Sequence, residues 1–230
     1  MNPNYEYWLS YEGLDADTRR ELESIAEDAD EIEARFAVPM RFGTAGLRSV
    51  MAAGISRMNV YTVAQTTQAL ANLVCRHGGQ TRGVAIAYDS RNNSMRFAET
   101  AAEVLAGNGV RAYLFERLHA VPQLSFAVRH LGCAAGVVIT ASHNPAKYNG
   151  YKVYGADGCQ VTVEAAAEIL SEIEKLDLFD GVKRADFDAC LHDGRIRLIS
   201  DEVLAAFLEA VKAQSALFGE EARKDIAIVY

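Results

Sequence analysis

The amino-acid sequence predicts an α/β fold, with a mainly parallel mixed sheet sandwiched by helices and a helical extension at the amino terminus. Between residues 83 and 140, short apolar runs of strand length alternate with longer segments of helical periodicity. This strand–helix–strand–helix–strand order is typical of right-handed crossovers and of a parallel sheet. Residues 18–36 instead repeat their apolar side chains only at helical spacing, which sets this segment apart from the alternating region.

Local signals place the elements in chain order. Thr18 and Glu21 fit a capping box at the start of one helix that continues to Phe36. A second helix, at about 60–76, ends before a Gly-Gly pair that breaks the periodicity. The alternating region then predicts strand 83–88, helix 95–106, strand 110–115, helix 122–130 and strand 134–140.

After residue 140 the sequence predicts antiparallel strands and further helices. The stretch 148–152 is a predicted turn, and a hairpin over 151–161 is expected to add antiparallel strands at one edge of the sheet. Helices follow at about 163–175 and 201–213. The acidic, turn-rich segment 177–197 between them is a predicted surface excursion.

A chain of 230 residues has room for one large domain or two small ones. We divide it into a helical extension at 1–38 and an α/β domain at 39–220. Residues 221–230 have the pattern of the first strand of another domain. We therefore expect this sequence to be part of a longer protein.

Composition narrows the function classes. Half of the residues are hydrophobic, yet no apolar run approaches the ~20 residues of a membrane span, and no secretory signal opens the chain. The net charge of −8 argues against a nucleic-acid surface, although a local cluster of cations could still bind a phosphorylated ligand. The four cysteines are scattered without a Cys-x-x-Cys pair, which favours reduced thiols. We expect a cytoplasmic protein with neither nucleic-acid nor membrane partners.

One serine stands where α/β proteins place reacting groups. Ser142 follows the predicted strand 134–140, at the carboxyl end where open α/β sheets bind their ligands. Asn144 and Pro145 then indicate a loop, because the residue before a proline is pushed out of the helical region. His143 and Lys152 lie close by in sequence, so this segment is a candidate nucleophile or phosphate site.

Three segments carry a family resemblance: the serine loop at 140–152, the string Arg-Phe-Gly-Thr-Ala-Gly-Leu-Arg at 41–48, and Ala-Tyr-Asp-Ser-Arg at 87–91. In this order they resemble the α-D-phosphohexomutases, the family of phosphoglucomutase and phosphomannomutase, and most closely the amino-terminal domain of the bacterial long-type phosphoglucomutases. The resemblance implies the fold of phosphohexomutase domain I. It departs from the family at Ser49, where we would expect glycine.

Phosphoryl transfer requires a nucleophile, cations around the transferring oxygens and a proton acceptor. Ser142 is the expected carrier, as phosphoserine. Arg48 offers a bidentate fork to a phosphate. Lys152 is the expected general acid/base, because an amine crowded by cations can lose its proton near neutral pH. His143 is expected to contact phosphate or substrate, with proton transfer as a second option.

The resemblance implies the same four assignments and adds Thr44 to the substrate-binding set of Arg48, His143 and Lys152. Asp89 and Arg91 are expected to support a neighbouring loop, and Gly43 and Gly46 to let the backbone fold tightly beside the phosphate.

Magnesium is the expected cofactor, because it prefers oxygen ligands such as those of phosphoserine and carboxylates. Ser142, through its phosphate, is the only ligand expected in this sequence. The family's Asp-Gly-Asp-x-Asp-Arg loop is absent from it, and the resemblance puts the carboxylates beyond residue 230. The resemblance also implies a hexose 1,6-bisphosphate as activator and intermediate.

The sequence thus predicts the amino-terminal part of a mutase that interconverts hexose 1-phosphate and 6-phosphate, inactive without the carboxy-terminal domains of its own chain. The alternatives are a sugar-phosphate binding module without turnover, a serine phosphatase or esterase, and another sugar specificity, such as a phosphopentomutase. The esterase alternative is weakened because a Gly-x-Ser-x-Gly motif is absent.

Overall fold

A computed structural model of the chain describes residues 2–43 and 46–214. Its strands are β1 (Gly46–Val50), β2 (Val84–Tyr88), β3 (Ala112–Phe115), β4 (Ala135–Ile139), β5 (Tyr148–Gly155) and β6 (Ile196–Ile199). Its helices are α1 (Pro3–Ser10), α2 (Ala16–Ser24), α3 (Ala29–Phe36), α4 (Val60–Arg76), α5 (Ser94–Gly107), α6 (Val121–His130), α7 (Val163–Ile173), α8 (Phe187–Asp193) and α9 (Asp201–Lys212).

The strands form one mixed sheet in the order β1-β5-β4-β2-β3-β6. Strands β4, β2, β3 and β6 run parallel, which confirms the predicted crossovers. Strand β5 turns back antiparallel to β4, and β1 pairs antiparallel with β5 at the edge. The predicted α/β class, with a mainly parallel mixed sheet, is therefore confirmed.

Helices cover both faces of the sheet. Buried side chains of α4, α5, α7 and α8 pack in one cluster with alternate strand residues such as Ile86 and Val137. On the other face, α6 and α9 pack against the intervening residues, including Ala87 and Val138. Because both faces are buried, β2 and β4 are apolar along their whole length rather than alternating with polar residues.

Helix α4 begins and ends at the predicted residues. The Asn59 side chain accepts hydrogen bonds from the backbone N–H groups of Tyr61 and Thr62, and the Thr62 hydroxyl accepts one from the Asn59 N–H. This capping box satisfies N–H groups that have no partner within the helix. The chain leaves the helix at Gly78, whose positive φ of 67° favours glycine.

The single helix predicted over 18–36 is wrong. The segment forms α2 and α3, because two aspartates cap separate helices. Asp15 accepts hydrogen bonds from the first turn of α2, and the Thr18 hydroxyl donates to it, so Thr18 is not the cap. Asp28 accepts from the Glu31 N–H and starts α3. Aspartate favours such caps over helix interiors, which explains the break.

Three further predictions are wrong because distant segments pair with each other. The stretch 148–152 is not a turn and the expected hairpin is not at the sheet edge. Strand β5 starts at Tyr148 and lies between β1 and β4, while the expected return strand makes only a bridge between Tyr154 and Gln160. The segment 177–197 is not merely a surface excursion, since it contains α8 and the start of β6, which pairs with β3.

The helices of the amino-terminal extension pack around an aromatic cluster that also includes rings from the rest of the chain. The indole of Trp8 is fully buried, and its ring meets those of Phe36, Tyr61 and Phe179 at centroid distances of 5.4–5.7 Å. Tyr61 belongs to α4, so the extension is packed directly on the sheet domain. The last proposed unit, 221–230, lies outside the described residues.

The lengths and hydropathy of the helices also bear on a membrane location. Among the described residues, no helix combines the length and the apolar character that a membrane crossing requires.

An ion-pair cluster joins α4 to α7 and generates a stability prediction. Glu172 on α7 binds Arg76 at 2.8 Å and Lys175 at 2.9 Å, and these bonds lower the pKa of its carboxyl from 4.5 to about 2. A carboxyl whose pKa is lowered by folding stabilises the protein above its ordinary pKa. We expect Glu172→Gln to lower the melting temperature at pH 7, and the difference from wild type to shrink as the pH falls from about 4.5 towards 2.

Glu209→Gln is the matched control, because Glu209 forms an exposed ion pair with Lys212 on α9. Exposed ion pairs contribute little to stability, so the melting curve of Glu209→Gln should match that of wild type within error. Thermal melts from pH 7 to pH 2.5 check both variants. If the difference in melting temperature between Glu172→Gln and wild type did not change with pH, the stabilising role of the ionised Glu172 carboxylate would be contradicted.

Candidate active site

Ser142 lies on the loop that joins β4 to β5, at the carboxyl end of β4, as predicted. Its side chain is exposed, and its φ of 57° places the residue in the left-handed region. The Ser142 N–H donates to the Thr140 hydroxyl oxygen at 2.9 Å. The Thr140 N–H in turn donates to the Gly150 carbonyl at 3.0 Å, so that the start of the loop remains hydrogen-bonded to β5.

His143 lies within hydrogen-bonding distance of the serine hydroxyl. Its Nδ1 lies 3.3 Å from Ser142 Oγ, and both side chains are exposed. The separation allows a hydrogen bond whose direction depends on the tautomer of the imidazole. The sequence neighbours are therefore also neighbours in space, despite the usual divergence of adjacent side chains.

The turn after β2 supports the serine loop, in agreement with the role expected for Asp89 and Arg91. Strand β2 is adjacent to β4, so its carboxyl end lies beside the loop. The Arg91 guanidinium donates to backbone carbonyls of the serine loop, including those of Ser142 and Asn144. Asp89 accepts the Arg91 N–H at 3.0 Å, which fixes the turn.

Arg48 lies on β1 and Lys152 on β5. Lys152 is therefore on a strand and not on the turn predicted for 148–152. In the antiparallel pairing of β1 and β5, Arg48 stands opposite Gly150 and Gly46 opposite Lys152. Arg48 and Lys152 are thus diagonal neighbours on one face, a spacing of about 7–8 Å that long side chains can bridge. Strand β1 was missed because it is short, begins with a glycine and, within the described residues, pairs only with β5.

Two glycines on this face allow the strands to approach each other closely. A Cβ at Gly46 would lie 1.9 Å from the Tyr151 carbonyl oxygen, and one at Gly150 would lie 2.6 Å from the Thr140 carbonyl oxygen. At Gly43 the nearest atom would be 3.5 Å away, an ordinary contact. Of the two glycines expected to fold tightly, only Gly46 is required by this steric argument.

Two open clefts flank the serine loop. One is lined by Ser142 and Asn144 of the loop and by Asp89 and Arg91 of the neighbouring turn. The lining of the other includes three cations, Arg41, Arg48 and Lys152. A hydrogen bond of 3.0 Å from Arg48 Nη1 to Asn144 Oδ1 joins the two. The structure therefore brings Arg48 to the serine loop.

Lys152 is half-buried, and within the described residues its amine makes no hydrogen bond or ion pair. It faces the cation-lined cleft rather than contacting Ser142 directly. The neighbouring Tyr151 points to the opposite face, where its hydroxyl meets the Thr67 hydroxyl at 3.1 Å, and burial raises the pKa of this phenol. Thr44, the remaining candidate, lies outside the described residues.

Sequence reasoning assigned no role to three residues that the site depends on. Asn144 connects Arg48 to the loop, Asn149 is completely buried behind it, and Arg41 adds a third cation to the cleft. Asn144 and Arg41 lie within segments 140–152 and 41–48, which carry the family resemblance, so the sequence could have pointed to them. The burial of Asn149 follows from the pairing of β5, which the predicted turn at 148–152 concealed.

A comparison with known proteins places this site in a family. The family model described as phosphoglucomutase/phosphomannomutase, alpha/beta/alpha domain I, matches residues 39–179. The chain belongs to the phosphoglucomutase/phosphomannomutase family. The match contains Arg48, Ser142, His143 and Lys152, and hence both clefts.

Several members of the phosphoglucomutase/phosphomannomutase family are similar over most of this chain. It is 38% identical to a phosphoglucomutase of Staphylococcus saprophyticus over 80% of this chain and 33% of that protein. A phosphopentomutase of Mus musculus is 44% identical over 57% of this chain and 23% of its own length. The chain therefore spans about a third or less of the length of these relatives.

A solved structure of the family agrees with the fold. A protein of Thermus thermophilus, provisionally assigned as a phosphomannomutase, superposes with a TM-score of 0.63 at 32% identity, over 76% of this chain and 36% of that one. The α/β architecture described above is therefore that of the family's first domain.

The close approach at Gly150 generates a prediction. In Gly150→Ala, the new methyl group would press on the backbone carbonyls of Thr140 and Leu47, at 2.6 and 2.8 Å. We expect a loss of about 1–3 kcal/mol in the free energy of unfolding, as for overpacked interiors. Urea unfolding measures this loss, with Gly43→Ala as the control that should remain near wild type. An unchanged midpoint for Gly150→Ala would contradict the argument.

Proposed function

We propose that this chain carries the phosphoryl-accepting serine of a sugar-phosphate mutase. The observation that supports the proposal is the setting of Ser142. Its hydroxyl is exposed on a left-handed turn, 3.3 Å from His143 and joined through Asn144 to the cation-lined cleft. A nucleophile beside concentrated positive charge suits phosphoryl transfer, in which positioning and neutralisation of charge dominate catalysis.

In the proposed reaction, Ser142 rests as phosphoserine. A hydroxyl of the sugar monophosphate attacks the phosphorus, its proton passes to the Lys152 amine, and the bond from phosphorus to Ser142 Oγ breaks. His143, within reach of Oγ, donates a proton to the departing oxygen, so that Ser142 is released as its neutral hydroxyl. The sugar bisphosphate then turns around, and its other phosphate returns to Ser142 with the reverse proton movements. The net change is a shift of phosphate between two positions of one sugar.

Arg48 and Lys152 have distinct roles in this proposal. Arg48 binds the phosphate with its planar fork, a geometry that lysine does not offer. Lys152 accepts and returns a proton. It lies on the same face of the sheet as Arg48, diagonally across the pair of strands. Thr44 is proposed to contact the substrate, together with Arg48, His143 and Lys152.

Magnesium is proposed to neutralise the phosphoserine, but the described residues do not complete a site for it. Among these residues, no group of three or more His, Cys, Asp and Glu side chains could hold a metal ion. Asp89, the carboxylate of the serine cleft, is already engaged by Arg91 and Ser94. Ser142 would contribute one ligand through its phosphate, and we derive no catalytic step from the metal.

The substrate is proposed to be a hexose phosphate, exchanged between its 1- and 6-positions through a hexose 1,6-bisphosphate. A pentose phosphate is the alternative, since relatives of this chain include a phosphopentomutase as well as a phosphoglucomutase. Turnover is proposed to require further, carboxy-terminal domains, since this chain spans a third or less of its relatives' length. The 230-residue chain alone would then accept phosphate without catalysing the mutase reaction. The whole protein is proposed to work in the cytoplasm.

Phosphorylation of the serine tests the proposal directly. After incubation with glucose 1,6-bisphosphate and Mg²⁺, we expect the intact mass to increase by one phosphate, located on Ser142 by peptide mapping. Ser142→Ala should remain unmodified, whereas Ser90→Ala, which changes another serine of the same cleft, should react like wild type. Binding of the bisphosphate without modification, also in a chain extended by the domains of its relatives, would instead favour a binding module.

The proton acceptor can be tested in the same assay. We expect Lys152→Gln to slow phosphate incorporation by about 10²–10⁴-fold, the usual contribution of general acid–base catalysis. Lys147→Gln is the matched control, because Lys147 is an exposed lysine of the serine loop and should be replaceable. Equal rates for the two variants would remove Lys152 from the mechanism.

A further inference from the structure

We propose that Arg91 is a positioning residue that fixes the nucleophile Ser142 relative to Lys152, an inference that rests on the proposed function. The side chain of Arg91 stands behind the serine loop and is only 13% exposed. Its role follows from where its N–H groups point, from what holds it in place, and from the conformation that it imposes on Ser142.

Both Nη groups of the Arg91 guanidinium donate hydrogen bonds to the backbone of the protein itself. Nη2 donates to the carbonyls of Ser142 and Asn144, and Nη1 donates to those of Pro145 and Tyr148, each at 3.1 Å. Nε faces Asp89 Oδ2 at 3.5 Å. A guanidinium has five N–H donors in a fixed plane. The four on Nη1 and Nη2 are taken by backbone carbonyls, and Nε is ion-paired with Asp89. Arg91 therefore supports the loop and does not bind the substrate.

The four carbonyls span the connection between β4 and β5. Ser142 lies near the start of this loop, while Tyr148 is the first residue of β5, the strand that carries Lys152. One rigid group thus holds the nucleophile at one end and the strand of the proton acceptor at the other. A change in its position would change the separation of the two reacting side chains.

A partly buried polar network holds Arg91 in turn. Asp89 Oδ1 accepts from the Arg91 N–H and from the Ser94 hydroxyl, at 3.0 and 2.8 Å. The same Ser94 hydroxyl accepts from Asn149 Nδ2 at 2.9 Å, and Asn149 is fully buried on β5. The chain of hydrogen bonds therefore starts and ends on β5, which makes the loop and the strand one unit. Buried networks of this kind favour a single arrangement when every member is satisfied.

The conformation of Ser142 also requires such a support. Its φ of 57° is unfavourable for a residue with a Cβ, and such conformations persist only where surrounding contacts impose them. The two contacts on its backbone are the donation of its N–H to Thr140 and the acceptance by its carbonyl from Arg91. Loss of the second contact would let Ser142 relax away from the presented geometry.

Replacement of Arg91 by lysine separates charge from geometry. Lysine keeps the positive charge but carries its three donors on one flexible ammonium nitrogen, which cannot reproduce the planar fork that serves four carbonyls. Arg82 provides the matched control, because its guanidinium also donates to backbone carbonyls, those of Gly132 and Cys133, but remote from the serine loop. Both variants, and wild type, would be compared as the full chain.

Two measurements test the proposal. The first is the rate of Ser142 phosphorylation by glucose 1,6-bisphosphate and Mg²⁺, as a function of bisphosphate concentration. We expect Arg91→Lys to lower the maximal rate about 10–100-fold, because a displacement of about 1 Å can cost 100-fold, with a smaller change in the half-saturating concentration. Arg82→Lys should match wild type. Added guanidinium ion should partly restore the rate of Arg91→Ala, which a purely folding defect would not allow.

The second measurement is amide hydrogen exchange across residues 140–149, which requires no chemistry. We expect faster exchange there in Arg91→Lys and, to a smaller extent, in Ser94→Ala, which cuts the network at its middle. Unchanged exchange together with an unchanged phosphorylation rate in Arg91→Lys would overturn the proposal. A wild-type chain that is never phosphorylated would contradict the proposed function instead, while the exchange experiment would still decide whether Arg91 orders the loop.

Discussion

The reversal of the chain between β4 and β5 is the constraint on which the site depends. Were β5 parallel to β4, a long crossover would separate Ser142 from Lys152. Because β5 is antiparallel, the connection is short and lies at the carboxyl ends of the parallel strands. The turn after β2 reaches the same loop from the neighbouring strand. Edge strand β1 then adds Arg48 to the same face as Lys152.

Charge is distributed unevenly over the molecule. The chain carries a formal net charge of −8, yet the cleft beside the serine loop is lined by Arg41, Arg48 and Lys152 and, among the described residues, by no carboxylate. The acidic residues are concentrated elsewhere, notably on α2 and α3 of the extension. An anionic ligand would therefore meet a local positive potential within a protein that is acidic as a whole. This separation explains why the net charge alone carries no information about a phosphate site.

Sequence reasoning located those parts of the fold that depend on local signals. The capping box of α4 and the alternation of strands and helices are properties of short segments, and they gave the parallel core and the place of Ser142. It failed where distant segments pair. Strand β1 forms only because it pairs with β5, and the burial of Asn149 cannot be predicted without that pairing. The support of a neighbouring loop by Asp89 and Arg91 was expected from the sequence, whereas the link from Arg48 to Asn144 emerged only from the folded chain.

The packing of the extension gives the protein an internal optical probe. Trp8 is the one tryptophan in the sequence, and its indole is enclosed by aromatic rings from the extension, from α4 and from the segment that follows α7. Its fluorescence therefore reports the contact between extension and sheet domain, whereas far-ultraviolet circular dichroism reports the helices and strands of the whole chain. Coincident unfolding curves from the two signals would mean that the extension and the sheet unfold as one cooperative unit. An earlier fluorescence transition would mean that the extension detaches first, leaving the serine loop on a folded sheet.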